Sequence, residues 1–186
     1  MRRTLVALAL LVALPGLAQE RQSKTHVSAN GQFSVRLVEE KPGTCRVEML
    51  KESGPAWQFK GCVGTVDDFY FASNDGERFW LLRPLVEKGT KSTVEKRGKK
   101  KVTVPAWANA VVAELYGSSG QKLQERRLQD FQRTSREMGE VRQLKGHFKW
   151  LEGTLGIPGK GPRITDDEKV EFEAVGGKTY RLTFQG

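Results

Sequence analysis

Five cations lie within six residues at 96–101: Lys96, Arg97, Lys99, Lys100 and Lys101. Such density engages phosphate or carboxylate groups by charge alone. Arg126 and Arg127, followed by Arg133 and Arg136, form a second basic group that extends the first if the fold brings them together. Aromatic residues are not interleaved with either group, as stacking on nucleic-acid bases would require. The bland reading of the 96–101 run is a solvated tip whose like charges protect a strand edge from pairing.

Other chemistry is sparse. The chain has two histidines, His26 and His147. His26 falls in a segment expected to be frayed and His147 in a strand pattern, so both read as structural. There is no His-x-x-x-His, no Cys/His cluster and no EF-hand loop, so the sequence calls for no metal and no cofactor. The stretch "GGKT" at 176–179 resembles the end of a phosphate-binding loop, but Phe172 stands where that motif needs its first glycine. "SGQK" at 119–122 sits in a turn without its partner motifs, and "GSSG" at 117–120 is no nucleophile elbow. Asp67-Asp68 and Asp166-Asp167 are neighbours in sequence, which sends their side chains in different directions. No catalytic residue is assigned, and the balance leans away from an enzyme.

Cys45 and Cys62 are the only cysteines. An even pair points to a disulfide in an oxidising compartment. Side chains alternate along a strand, so Cys45, Val47 and Met49 share one face, as do Trp57, Phe59 and Gly61. Matching these faces across "KESGPA" pairs Met49 with Trp57 and Val47 with Phe59, and leaves Cys62 one residue out of step. A bulge at Gly61 would restore the match and set a cross-strand disulfide beside it.

The elements that must hold these groups are strands. Apolar runs at 33–38, 45–50, 57–63, 68–72, 78–83, 101–104, 107–116, 121–128, 147–151, 169–174 and 179–184 predict an all-β chain: a single antiparallel β-sandwich or barrel-like domain built from hairpins, spanning 19–186. Turns ending at Gly31, Gly76, Gly120 and Gly177 mark four of the hairpins. Their uneven spacing and the lack of shared Trp-Asp positions exclude a propeller. Phe79 and Leu81 alternate with Trp80 and Leu82, which predicts a strand covered on both faces. The alternation Trp107, Asn109, Val111, Ala113 and Leu115 predicts one strand through 107–116. Residues 135–146 carry Met138, Val141 and Leu144 at a helix-like spacing interrupted by Gly139, which fits a helix or a strand. Residues 86–101 and the Gly/Pro-rich 153–167 read as loops, each a hairpin tip or a linker.

The first residues decide where the chain goes. Arg2 and Arg3, an apolar run from Leu5 to Leu14, a Pro15-Gly16 break and Ala18 have the order of a secretory signal peptide, residues 1–18. The apolar run is short of the about 20 residues that cross a bilayer, and no second span follows. The expected location is therefore exported, periplasmic or extracellular. The formal charge of +9 falls by two when Arg2 and Arg3 leave. An exported basic chain without catalytic signatures points to a binding or structural accessory protein of a bacterial-type envelope, meeting a protein or an anionic polymer rather than nucleic acid. The rival is an exported enzyme or enzyme inhibitor whose site is assembled from distant residues. A membrane β-barrel would need longer strands with an apolar lipid face.

Overall fold

The computed structural model describes residues 20–87, 91–152 and 161–185. The predicted signal segment, residues 1–18, and much of the 153–167 loop lie outside them. In chain order the elements begin with β1 (Arg21–Gln22), β2 (His26–Val27), β3 (Phe33–Lys41), β4 (Thr44–Lys51), β5 (Gly54–Lys60), β6 (Phe69–Ala72), β7 (Arg78–Leu82) and β8 (Leu85–Glu87). There follow β9 (Thr93–Arg97), β10 (Lys100–Val104), a 3-10 turn at Ala106–Asn109, β11 (Val111–Gly117), β12 (Lys122–Arg127), α1 (Leu128–Phe131) and α2 (Ser135–Gly139). The last strands are β13 (Arg142–Gln143), β14 (His147–Lys149), β15 (Arg163–Ile164), β16 (Lys169–Ala174) and β17 (Lys178–Thr183). The chain is mostly β, in antiparallel sheets built from hairpins, as the alternation predicts.

The first sheet runs β1-β3-β4-β5, with β2 also paired to β3. Met49 pairs with Trp57 and Val47 with Phe59, the register expected from matching apolar faces. Val35, Leu37, Val47 and Met49 are fully buried on the inner face. On the reverse, the Glu48 carboxylate accepts from Arg36 at 2.8 Å and from Arg46 at 2.6 Å. Burial opposes ionisation of Glu48, but the hydrogen bonds from Arg46 and Arg36 win and hold its carboxyl below the usual range. One face is thus oil and the other an ion ladder, the division of a sheet covered on one side.

The second sheet, β12-β11-β7-β6, is the middle layer. Tyr70, Ala72, Phe79, Leu81 and Tyr116 pack against the first sheet. Phe71, Trp80, Leu82, Ala113 and Leu115 face a second core with Phe131, Phe148, Trp150 and Phe172. The two-faced strand predicted from Phe79-Trp80-Leu81-Leu82 is therefore present. Buried indoles need acceptors, and Trp80 donates to the Thr183 carbonyl at 3.0 Å while Trp150 donates to the Arg83 carbonyl at 2.7 Å. These two bonds tie β17 and the segment after β14 to the middle sheet.

Cys45 and Cys62 form the expected disulfide, with their Cα atoms 4.9 Å apart. The bulge expected at Gly61 is not there: the ladder is regular from Met49–Trp57 to Arg46–Lys60 and its irregularity lies between Met49 and Leu50, at the other end of the hairpin. Gly61 solves the mismatch differently. It donates to the Cys45 carbonyl at 2.9 Å and takes a φ of 150°, which turns the chain so that Cys62 meets its partner.

Three other expectations change. The 107–116 strand begins only at Val111, because Trp107 and Asn109 belong to the 3-10 turn that follows Pro105. Residues 135–146 divide into the short helix Ser135–Gly139 and the strand β13, while α1, unforeseen, ends the 121–128 strand at Arg127. His26 is not frayed: its strand pairs with Val35 and Ser34, and its ring lies 4.6 Å from Phe71 and 5.8 Å from Phe69.

Candidate functional site

Of the two readings of 86–101, hairpin tip or linker, the structure has the hairpin, and its strands run through the basic residues. Strands β9 and β10 pair from Thr93–Val104 to Arg97–Lys100 around a two-residue turn, Gly98-Lys99. Gly98 takes a φ of 63°, which suits glycine at the first turn position. The low apolar content of 86–101 hides this, because a hairpin exposed on both faces needs no apolar alternation. Lys96 pairs with Lys101 on one face, and Lys100 pairs with the backbone of Arg97 on the other, with Lys99 at the apex. Lys96, Lys99, Lys100 and Lys101 are all exposed, and β10 becomes buried only at Val104. The Arg97 side chain and residues 88–90 lie outside the description.

The base of the hairpin is anchored to the body. The Asn109 amide donates to Thr93 Oγ1 at 2.8 Å, and the Gln129 amide reaches both Glu95 and Asn109 at 3.4 Å. Asn109, the polar interruption in the predicted strand, is thus buried as part of this joint. Between hairpin, 3-10 turn, α1 and β14 lies a cleft of about 790 Å3. Val102, Trp107 and Phe148 supply apolar and aromatic wall, and Glu95, Asp130 and Arg133 supply charge. Asp130 also accepts from the Arg127 backbone N–H at 2.7 Å, which opens α1, and Arg133 Nε donates to the Asp130 carbonyl at 3.0 Å. Such a cleft, concave and mixed in polarity, has the size of a small-ligand site.

The second basic group does not act as a unit. Arg126 and Arg127 are adjacent on β12 and project to opposite faces. Arg127 pairs with Glu125 at 3.2 Å, whereas Arg126 donates to the Gln124 side chain at 3.1 Å. No hydrogen bond or ion pair among the described residues joins either of them to Lys96, Lys99, Lys100 or Lys101. Arg133 is the member that shares the cleft with the hairpin; Arg136 is exposed on α2.

The other candidates separate. Asp68 is buried, accepts from Thr65 N at 2.8 Å, and burial raises its carboxyl above the usual range; Asp67 is exposed. The Lys169 and Thr165 side chains hold exposed Asp167 down to about 2. Glu114, buried on the interior strand β11, meets Arg83 at 2.5 Å and Lys122 at 3.1 Å. Among the described residues no group of three or more His, Cys, Asp or Glu is placed to hold a metal. Also among them, no helix is long and apolar enough to cross a membrane.

Gln129, Asp130 and Phe148 carry no functional signal in the sequence, and Trp107 reads there only as a strand residue. The one local signal was Asn109, a polar residue in an apolar alternation. No family model matches the chain, and no curated protein or solved structure shows significant similarity to it.

Proposed function

We propose that the protein is exported and acts by binding, as an accessory or structural component of a bacterial-type cell envelope, and that the basic hairpin β9–β10 and the cleft at its base meet an anionic polymer or a protein. The observation that carries this reading is the hairpin itself: four exposed lysines project beyond the last buried position, Val104, while the base is pinned over a cleft with aromatic wall. A disulfide and a leader-like first segment accord with export.

Co-sedimentation with isolated envelope fractions at low and high salt tests it, beside a variant carrying Lys99→Glu, Lys100→Glu and Lys101→Glu. Screening is substantial once the Debye length falls to about 8 Å near physiological salt. Binding should weaken with salt and with charge reversal. Retention unchanged in both arms would reject the hairpin as the contact surface.

A second reading, an exported enzyme, draws on one observation: two carboxylates, Glu95 and Asp130, line the same concave cleft as Arg133. Paired carboxylates can divide acid and base roles. Turnover of an envelope glycan that disappears in both Glu95→Gln and Asp130→Asn would establish it.

A further inference from the structure

We propose that a second cavity, formed where β12 meets β17, is a binding site for an oxyanion, the carboxylate or phosphate group of a larger ligand. The cavity measures about 380 Å3, and Arg126, Arg133 and Arg181 line it together with Asp130 and Tyr180. Its floor includes Trp80, Phe131 and Leu182, all buried. Three guanidinium groups against one carboxylate make it cationic, and the apolar floor lowers the local dielectric, which strengthens any charge-assisted hydrogen bond made there.

Two of these arginines differ from most others in the molecule. Arg36 and Arg46 meet Glu48, Arg83 meets Glu114, Arg127 meets Glu125, and Arg163 and Arg181 meet Glu171. Arg126 and Arg133 have no carboxylate within ion-pair distance among the described residues. Among the described residues Arg126 donates only to Gln124 Oε1, and the side chain of Arg133 only to the Asp130 carbonyl. Each guanidinium therefore retains N–H groups for the forked recognition of a carboxylate or phosphate. Arg181 is fixed by Glu171, its Nε at 2.8 Å, and supplies positive potential from a set position.

Position joins this cavity to the larger one. Asp130, within α1, and Arg133, just beyond its end, line both. A ligand whose body lies against Trp107 and Phe148 can thus present its anionic group to Arg126 and Arg133. The inference deepens the binding reading above and takes from it only the sign of the ligand's charge; the hairpin variant separates the two.

The test follows the arginine Nε–H signals of the oxidised protein by NMR during titration with inorganic phosphate and, separately, with glucuronate. Saturable shifts of the Arg126 and Arg133 signals are expected, and the tighter probe identifies the source as phosphate or sugar carboxylate. Arg126→Gln and Arg133→Gln should each weaken binding about tenfold, as loss of a charge-assisted pair implies. The Lys99→Glu, Lys100→Glu, Lys101→Glu variant should bind within about twofold of the parent, because these exposed lysines do not line the cavity and their charges are screened by salt. If Arg133→Gln disturbs folding, Arg126→Gln decides, since among the described residues its side chain bonds only to Gln124. Absence of saturable shifts with both probes overturns the site, as does equal weakening by Arg126→Gln and the lysine variant. Probe binding by a parent protein that does not co-sediment with envelope fractions refutes the hairpin reading and leaves this one standing.

Discussion

Hairpins β4–β5 and β9–β10 share a construction and differ in fate. Each is closed by a two-residue turn, Glu52-Ser53 in the first and Gly98-Lys99 in the second. The first places Val47 and Met49 in a core, stacks Trp57 and Phe59 near Phe79, and is stapled by Cys45–Cys62. Among its described side chains the second buries Val104 alone, at its end, and it is joined to the body by amide contacts at its base. Local pairing makes both, but only the first is sustained by apolar burial. A surface kept clear of the core can carry like charges that a packed strand could not.

Substitution should separate the two hairpins most strongly in the core. Phe79→Ala removes the ring around which Trp57, Phe59, Tyr70 and Tyr116 gather, and should cost about 3–5 kcal/mol in urea unfolding. Val102→Ala on the basic hairpin should cost under about 0.5 kcal/mol by the same measurement. Similar losses at both sites would show that the second hairpin is also a core element.

Replacing both Cys45 and Cys62 by Ala should lower stability by about 3 kcal/mol, the loop-closure contribution. Partial proteolysis should then cut the first hairpin at increased rate while cleavage of the second is unchanged. Equal acceleration at both would mean that they unfold as one unit.

Acid should act on the first sheet. His26 is held below its usual 6.5, chiefly by burial, against the raising effect of a hydrogen bond to the Tyr70 backbone. Its contribution is fully present above 6.5 and is lost as pH falls through the lowered folded value. Glu48 follows the same sign: its contribution is present above 4.5 and is lost as pH falls through its lowered folded value. Buried Asp68, raised, opposes them, contributing at low pH and losing that contribution as pH rises through its folded value. Urea midpoints from neutral to acid pH should fall in two steps, and His26→Phe should remove the first. A single step in that variant and in the parent alike would take His26 out of the account.

The smallest effect belongs to the charged tip. Reversing Lys99, Lys100 and Lys101 should move thermal stability by no more than about 0.5 kcal/mol, because exposed charges in water interact weakly. A larger loss would give the tip a structural role.

The reach of local pattern explains which features were legible. Period-two alternation specified the Met49–Trp57 register, the two-faced strand around Trp80 and the glycine turns, because each depends on neighbours along one or two strands. It also implies that Arg126 and Arg127 face opposite ways, since the strand predicted over 121–128 already includes both. Gly61 met the cysteine mismatch through a positive φ rather than a bulge, since both routes suit glycine and pattern alone does not choose. Trp107 looked like a strand residue because apolar and small residues around it alternate; Pro105 and the demands of Asn109 and Thr93 made a tight turn instead.

By itself the sequence determined the antiparallel, hairpin-built β character of the chain, the pairing of Cys45 with Cys62 and the density of positive charge between 96 and 101. These rest on backbone periodicity, covalent chemistry and formal charge, all of which act over short distances along the chain. Only tertiary structure decided that Glu95, Trp107, Asp130, Arg133 and Phe148 surround one cleft, and that Arg126 and Arg133 meet in another beside Arg181. Those groupings follow from how the middle sheet receives a core on each face, a packing outcome that no local alternation encodes.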